Sequence, residues 1–227
     1  MDTKICSVAI DGPAGAGKST IAKAAAKRFG FIYVDTGAIY RTVGLAASRA
    51  GVDGKDTKAV IALLPGLEIH FDYGEDGTQR MFLNGEDVSG LIRTPEISMY
   101  ASAVSSIPEV RAYLLEMQRR MARTQSVVMD GRDIGTVVLP DAGLKIFLTA
   151  SAEARAKRRL LELQEKDPAA DYDAVLADII ARDEADMTRA TAPLRQAEDA
   201  VLVDTTELGL QQSIDTLCAL IAQRFGL

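Results

Sequence analysis

The sequence is poor in the residue types on which histidine and thiol chemistry depend. Its 227 residues include one histidine and two cysteines. Cys6 and Cys218 lack the spacing of a metal-ligand set or a redox pair, so we interpret them as packed thiols. His70 lies in the apolar run Leu67 to Phe71, which favours a structural or surface role. A mechanism that needs a catalytic histidine is therefore poorly supported.

Other features that the sequence lacks limit the cellular location and the kinds of partner that we expect. It shows no signal peptide and no apolar run of about 18 residues, which predicts a cytoplasmic protein in a reducing environment with no membrane partner. The formal net charge of −6 argues against a general nucleic-acid surface, although clustered arginines could still meet an anionic ligand. With 48% hydrophobic and 26% charged residues, the composition is that of a globular protein with a sizeable core.

The clearest motif is DGPAGAGKST at residues 11–20. It fits G-x-x-x-x-G-K-[ST], follows an apolar run that reads as a strand, and precedes a helical pattern over Thr20 to Phe29. Backbone amides of such a loop cradle phosphates, Lys18 faces the β- and γ-phosphates, and Ser19 ligates Mg²⁺. An ordinary glycine-rich turn is the alternative. The predicted ATP-binding residues of this loop are Gly12, Pro13, Ala14, Gly15, Ala16, Gly17, Lys18, Ser19 and Thr20.

Short apolar runs alternate with helical patterns along the chain. The runs are Ile5 to Ile10, Phe31 to Val34, Val127 to Met129, Leu144 to Leu148 and Ala200 to Val203. Because they lack period-two alternation, they predict a parallel sheet covered on both faces, with ligands at the carboxyl ends of the strands. Asp11, Asp35 and Asp130 each follow one of these runs. Asp130 is predicted to help organise Mg²⁺ indirectly.

The stretch from about Leu67 to Val88 departs from this pattern. LEIHFDY, QRMFL and EDV are short strand-like pieces, joined by GEDGT and by Asn84-Gly85. They predict a small antiparallel insertion between strands two and three, docked on the core. Ser106 and Glu109 have the spacing of a capping box, which predicts a helix that starts there and runs to about Arg123.

Three clusters are candidates for a second substrate. DTGAIYR, residues 35–41, offers a hydroxyl, an aromatic ring and a guanidinium; the alternative is a strand-to-helix turn with Asp35 or Thr36 as N-cap, Tyr40 in the core and Arg41 solvated. In DGRD, residues 130–133, Arg132 could reach a phosphate, or the segment could be a turn with a surface ion pair. A third set shares one face of a helix, as in many salt-bridged helix surfaces. Its members are Arg182, Asp186 and Arg189.

Five segments in this order resemble bacterial-type cytidylate kinases over nearly the whole chain. They are GPAGAGKST, DTGAIYR, NGEDVSGLIRT, DGRDIGTVVLPDA and RDEADMTRATAPL. The third segment discriminates best, since other nucleoside monophosphate kinases are not expected to carry this insertion. The resemblance implies one α/β P-loop kinase domain over residues 1–227, with a five-stranded parallel sheet flanked by helices, an antiparallel nucleotide-binding insertion at 63–95 and a short helical lid at 151–168. It also implies a monomer.

The resemblance implies a role for each motif residue. Thr36, Arg111 and Asp133 would meet the cytosine edge, in a region that also includes Tyr40. Ser102, Arg182 and Asp186 would hold the sugar, while Arg41, Arg132 and Arg189 would clamp the acceptor phosphate. The family often has serine at position 36, where the methyl group of threonine could tighten the pocket. The implied catalytic residues are Lys18, Arg132, Arg159 and Arg189.

The predicted lid, SAEARAKRRLLELQEK, follows the fourth strand. Arg155, Arg158 and Arg159 have spacings of three and four and share a helical face. By resemblance, Arg155 and either Arg159 or Arg158 close over the triphosphate; the alternative is a solvated basic stripe paired with Glu162.

The expected reaction is transfer of the γ-phosphoryl group from Mg·ATP to CMP or dCMP. One alternative is a kinase for a small hydroxyl acceptor, with Asp35 or Asp133 as general base. Another is a nucleotide-dependent switch, although no N-K-x-D string is present. Neither alternative explains the arginine clusters. A neutral alcohol needs no phosphate clamp, and switching alone does not require a second set of acceptor-like residues.

Overall fold

The structure is a computed structural model that describes residues 5–75, 77–165 and 167–227. Asp76 of the predicted insertion, Lys166 of the predicted lid and residues 1–4 lie outside the described residues. The strands are β1 Ser7–Asp11, β2 Ile32–Asp35, β3 Ile69–Tyr73, β4 Gln79–Leu83, β5 Glu86–Asp87, β6 Val127–Gly131, β7 Leu144–Thr149 and β8 Val201–Asp204. The α-helices are α1 Lys18–Phe29, α2 Thr36–Arg49, α3 Thr57–Leu63, α4 Pro95–Val104, α5 Pro108–Thr124, α6 Ala152–Gln164, α7 Tyr172–Thr188 and α8 Leu210–Phe225.

The main sheet has five parallel strands in the order β2-β6-β1-β7-β8. Ala9 of β1 lies opposite Met129 of β6 on one side and Lys145 of β7 on the other. All five residues of β6 are buried, which explains its continuous apolar run: each face of a central parallel strand is covered. The predicted five-stranded α/β sheet is confirmed.

The chain forms two compact units, each with its own core. The P-loop unit comprises the residues up to Tyr33 together with Gln125–Leu227, and the inserted unit is Val34–Thr124. In the P-loop unit, sheet residues such as Ile10 and Ile146 pack in one cluster with α1 and α8 residues such as Ile21 and Ile221. The core of the inserted unit gathers side chains of α2, the small sheet and the helices α4 and α5. Each unit therefore has a contiguous apolar core of its own.

The small antiparallel sheet of the inserted unit has the order β3-β4-β5. Asn84 and Gly85, both with positive φ, form the predicted two-residue turn between β4 and β5. In β4, side chains alternate between the core and the outside, so that Gln79, Met81 and Leu83 are buried. His70 is exposed and stacks on the ring of Phe82 with centroids 4.7 Å apart, which agrees with a surface role. The predicted small antiparallel sheet is therefore confirmed.

The predicted cap of α5 is wrong. The helix starts at Pro108, and the amide of Arg111 bonds the Ile107 carbonyl, so the N-cap is Ile107 rather than Ser106. The Ser106 hydroxyl donates instead to the Ala103 carbonyl at 2.7 Å. Because proline at the first helical position already fixes φ and lacks an amide hydrogen, this helix start does not depend on a hydroxyl cap.

Both cysteines are buried free thiols, as predicted. Within the three described ranges, no helix combines the length and the apolar content that a membrane crossing requires.

Candidate active site

The phosphate loop connects β1 to α1 in the P-loop unit. Gly12 has φ 151°, and a Cβ at this position would lie 1.9 Å from the carbonyl oxygen of Leu148, so a larger residue cannot be placed there. The first turn of α1 contains no acidic side chain. No side chain of this turn therefore opposes the positive potential of the helix N-terminus, which can act on a bound phosphate.

Lys18 is the buried cation of this loop. Its side chain donates to the carbonyl oxygen of Pro13 at 2.7 Å, and the residue is only 5% exposed. Burial lowers the pKa of Lys18 to about 7, and the positive charge of Arg132 acts in the same direction. A polyphosphate would favour the charged form, so ligand binding and protonation of Lys18 are coupled.

Ser19 and Asp130 form the candidate magnesium site. The Ser19 hydroxyl donates to Asp130 Oδ2 at 2.9 Å, and the Tyr33 hydroxyl donates to Asp130 Oδ1 at 2.9 Å. Mg²⁺ prefers oxygen ligands and usually combines one or two protein groups with substrate phosphates and water. In the part of the chain that the structure describes, no group of three or more His, Cys, Asp or Glu side chains could cage a metal. This donor set fits a magnesium ion that arrives with a nucleotide.

Asp11, the last residue of β1, fixes the backbone that follows DGRD. Its two carboxylate oxygens accept hydrogen bonds from the amides of Ile134 and Gly135, both at 2.7 Å. Burial raises the pKa of Asp11 to about 6, while these amide donors oppose the rise. Asp11 thereby anchors the π-helical turn Ile134–Val138, directly after Arg132 and Asp133.

Four predicted residues form one charged cluster in the P-loop unit. Arg132 Nε donates to Asp186 Oδ2 at 2.7 Å. Arg189 lies beside two carboxylates, with Nη2 3.7 Å from Asp133 Oδ1 and Nη1 4.0 Å from Asp186 Oδ1. The structure thus unites the segment after β6 with the end of α7, as the two motifs predict. Arg182, one turn before Asp186 on α7, is half-buried.

The three arginines of α6 have three different environments. Arg155 is buried and pairs bidentately with Asp183 of α7, at 3.0 and 2.6 Å, while also donating to the Ala14 carbonyl of the phosphate loop at 2.9 Å. Arg158 donates to the carbonyl of Thr205. Arg159 is exposed and pairs with Glu162, at 2.9 Å, which is the contact that the basic-stripe alternative predicts. Equal spacing along a helix therefore does not give these side chains equal surroundings.

The inserted unit contributes Asp35, Arg41 and their neighbours. Asp35 caps α2 by accepting from the amide of Ala38, at 2.9 Å, and pairs with Arg41 Nη2, also at 2.9 Å. Tyr40 and Thr36 are buried. The predicted strand-to-helix turn is thus present, but Arg41 is held by an acid instead of being solvated. Its Nε atom is buried and has no hydrogen-bond partner among the described residues, so this donor is unsatisfied in the structure.

Arg111 and Ser102 lie elsewhere in the inserted unit. The guanidinium of Arg111 is buried 5.4 Å from the ring centroid of Tyr40, and its Nη1 donates to the Ser105 carbonyl at 3.2 Å. Ser102 lies on α4 and is half-buried. The structure therefore brings Arg111 beside Tyr40, two residues that are far apart in the sequence.

Sequence reasoning missed several side chains that organise these groups. Tyr33 and Asp183 were not selected, although each contacts a predicted site residue. Gln79 bonds the backbone of Asp35. The available signal for Gln79 is its place in an alternating strand, because a polar residue at a core-facing position needs a hydrogen-bond partner.

Comparison with known proteins places this arrangement in a family. The cytidylate kinase family model matches residues 8–223. The chain belongs to the cytidylate kinase family. It is 52% identical to a cytidylate kinase of Caldicellulosiruptor bescii over 217 residues, which cover 96% of each chain. It is 50% identical to a cytidylate kinase of Syntrophotalea carbinolica, with 96% of this chain and 92% of that protein covered.

A solved structure supports the fold alone. An uncharacterized protein from Eubacterium ventriosum shares it with a TM-score of 0.50 and 11% identity, over 97% of this chain and 98% of that one. The predicted cytidylate kinase resemblance is therefore confirmed by sequence, and the assignment of individual residues to substrates stays a prediction. As a member of the cytidylate kinase family, the protein is a nucleoside monophosphate kinase.

Proposed function

We infer that this protein transfers the γ-phosphoryl group of ATP to CMP or dCMP, giving CDP or dCDP and ADP. The observation that carries this conclusion is the family match over residues 8–223, which includes the phosphate loop, the antiparallel insertion and both arginine motifs together. ATP is the phosphoryl donor, and the reaction belongs to pyrimidine nucleotide metabolism.

The proposed donor site is the phosphate loop. Apart from Pro13, which has no N–H, the residues from Gly12 to Thr20 supply backbone amides to the phosphates, and the buried amine of Lys18 supplies a positive charge when it is protonated. Ser19 would hold Mg²⁺, with Asp130 acting through Ser19. When bound, the ion would supply positive charge that reduces the repulsion between the ATP phosphates and an incoming anion. Arg159 and Arg158 are the lid arginines, and Arg155 supports the loop through the Ala14 carbonyl.

One group of proposed acceptor residues belongs to the inserted unit. In the inserted unit, Thr36 and Arg111 contact the cytosine edge, and Arg41 binds the acceptor phosphate. The buried Nε of Arg41, which lacks a partner in the described part of the chain, supports that role, because Asp35 already occupies Nη2 and a bound anion would give the unsatisfied donor a partner. Ser102 holds the sugar, and Tyr40 lies beside the Arg111 guanidinium.

In the P-loop unit, Asp133 is proposed to accept a hydrogen bond from the cytosine amino group. Arg132 and Arg189 contact the acceptor phosphate, and Arg182 and Asp186 contact the sugar. The close packing of these side chains supports their assignment to one ligand, since Asp186 and Asp133 orient the guanidinium groups that would clamp it.

This chemistry needs no general base. The second pKa of a nucleoside monophosphate is about 6, so its phosphate is largely dianionic at neutral pH and can attack directly. The main requirement is to bring two polyanions together, and arginine, lysine and Mg²⁺ reduce their repulsion. A scarcity of histidine is consistent with such a mechanism.

The domain organisation, oligomeric state and cellular location are also proposed. The chain is proposed to act as one kinase domain, with the insertion at 63–95 and the lid at 151–168. We expect a cytoplasmic monomer with small-molecule substrates and no nucleic-acid partner, in keeping with the net charge of −6.

The hydroxyl-acceptor and switch alternatives gain no support. A general base needs an available carboxylate, but both oxygens of Asp35 accept hydrogen bonds within the protein, and Asp133 lies beside the Arg189 guanidinium. A switch does not account for the second set of phosphate-binding side chains.

An ADP-release assay with Mg·ATP and CMP, dCMP, UMP, AMP, GMP or shikimate tests the conclusion. We expect CMP and dCMP to give strong turnover, with CDP or dCDP identified by chromatography. Turnover with shikimate alone would support the hydroxyl-acceptor alternative. ATP binding without turnover on any acceptor would instead favour the switch.

A further inference from the structure

Gln79 is a buried polar residue in the core-facing register of β4. It is 5% exposed, and it follows the same inward alternation as the apolar residues Met81 and Leu83. A glutamine at such a position costs free energy unless its amide is fully bonded.

The amide of Gln79 pairs with both backbone polar groups of Asp35. Its Oε1 accepts from the Asp35 N–H at 2.8 Å, and its Nε2 donates to the Asp35 carbonyl at 3.3 Å and to the sulfur of Met81 at 3.2 Å. The side chain thus bonds the end of β2 as a neighbouring strand would. Asp35 and Gln79 both belong to the inserted unit.

Asp35 connects this backbone contact to a phosphate-binding candidate. One carboxylate oxygen caps α2 at Ala38, and the other holds Arg41. The guanidinium of Arg41 keeps one buried donor, Nε, which bonds to none of the described residues. A displacement of the Asp35 backbone would move its carboxylate, and with it Arg41.

We propose that Gln79 is a positioning residue of the acceptor site, which fixes Asp35 and thereby aims Arg41 at the phosphate of the nucleoside monophosphate. This inference rests on the proposed function, since it takes Arg41 as a ligand of the acceptor phosphate. It gives the antiparallel insertion a specific role, because the insertion supplies the side chain that orders the residue before α2.

Gln79→Met tests the inference, because methionine keeps the length of the side chain and removes the amide. Calorimetry measures the dissociation constants of CMP and of a non-hydrolysable ATP analogue. We expect roughly 10-fold weaker CMP binding, because two buried backbone groups lose their partner, and analogue binding within about two-fold of the wild type. Ser89→Ala is the matched control: it removes another side-chain bond to β4, at the amide of Met81, and should leave both constants unchanged.

A double-mutant cycle with Arg41→Met distinguishes positioning from a general structural role. If Gln79 acts through Arg41, Gln79→Met should change CMP affinity by less than about two-fold in the Arg41→Met background. Full additivity, or equal weakening of CMP and ATP-analogue binding, would overturn the proposal. If Gln79→Met does not fold, Gln79→Glu replaces it: this variant keeps an acceptor for the Asp35 amide and should weaken CMP binding selectively.

The proposed function and the role of Gln79 can fail separately. A wild-type protein that neither binds nor phosphorylates CMP would reject the proposed function. A wild-type protein that does both, with unchanged CMP affinity in folded Gln79→Met or Gln79→Glu, would reject the role of Gln79 alone.

Discussion

The two compact units surround their arginines with different groups. In the P-loop unit, Arg132 and Arg155 pair with Asp186 and Asp183, which are 54 and 28 positions away in the sequence. In the inserted unit, Arg41 pairs with an acid only six positions away, and Arg111 contacts a carbonyl and an aromatic ring.

This difference has an energetic consequence. A buried acid that loses its arginine becomes an uncompensated charge, whereas a ring or a carbonyl does not. We therefore expect substitutions in the charged cluster of the P-loop unit to affect stability together with catalysis. Substitution of Arg111 in the inserted unit, whose described contacts are a carbonyl and a ring, should mainly affect substrate affinity.

The largest expected effect comes from Lys18→Ala. Removing the buried cation should lower kcat by roughly 10³-fold or more, because charge on the transferring phosphoryl group loses its fixed partner. CMP affinity, measured by calorimetry, should change by less than about two-fold. A comparable loss of CMP binding would mean that Lys18 also organises the acceptor residues, and the functional division between the units would be wrong.

Arg189→Ala should have the next largest effect. Loss of the phosphate clamp should reduce kcat/KM for CMP by roughly 100-fold, and the buried carboxylates of Asp133 and Asp186, deprived of this guanidinium, should cost about 1 to 3 kcal/mol of folding stability. Steady-state kinetics and thermal unfolding measure the two quantities.

Arg28→Ala is the control for Arg189, because Arg28 belongs to the same unit but forms an exposed pair with Asp215. It should change stability by no more than about 0.5 kcal/mol and leave kinetics unaltered. Unchanged CMP kinetics in Arg189→Ala would reject the clamp.

Asp133→Ala tests whether this acid contacts the cytosine base or serves only as the counter-ion of Arg189. A base-reading role predicts that the ratio of kcat/KM for CMP to that for UMP falls by roughly 10-fold or more, since the cytosine amino group loses its acceptor. A pure counter-ion role predicts that both substrates lose activity equally. Competition assays with the two nucleotides give the ratio directly.

The last expected effect is a proton linked to ATP binding. With a pKa of about 7, Lys18 is mostly neutral at pH 8, and bound phosphates favour its charged form. Binding should then take up close to one proton, and affinity should fall as pH rises from 7.5 to 9, because uptake is favoured by low pH. Asp11, with a pKa of about 6, is already ionised over this range. Calorimetry in buffers of different ionisation enthalpy counts the protons, and Lys18→Ala should abolish the uptake.

The sequence predicted the features whose signals are local. A glycine-rich loop between a strand and a helix, and short runs bounded by turns, each carry their pattern within about ten residues. Gln79 and Tyr33 could not be selected in this way, because their contacts with Asp35 and Asp130 join positions 44 and 97 apart. Their roles depend on how the chain folds, not on neighbours in the sequence.

The arginines of α6 show the same limit. Spacings of three and four correctly predicted one helix, but the partners of Arg155 and Arg158 come from α7, the phosphate loop and the segment after β8. Spacing gives the direction of a side chain, while the partner comes from packing. Arg159, whose partner is in the same helix, is the one whose contact the sequence could foresee.

Arg155 also has a mechanical consequence. One guanidinium joins α6 to Asp183 of α7 and to the Ala14 carbonyl of the phosphate loop. A force that displaces α7 must therefore either break two charge-assisted hydrogen bonds or pull on the loop, since bidentate pairs resist rotation as well as stretching. Arg155 thus couples the two helices to the loop, and strain applied to α7 reaches the phosphate-binding backbone through this one side chain.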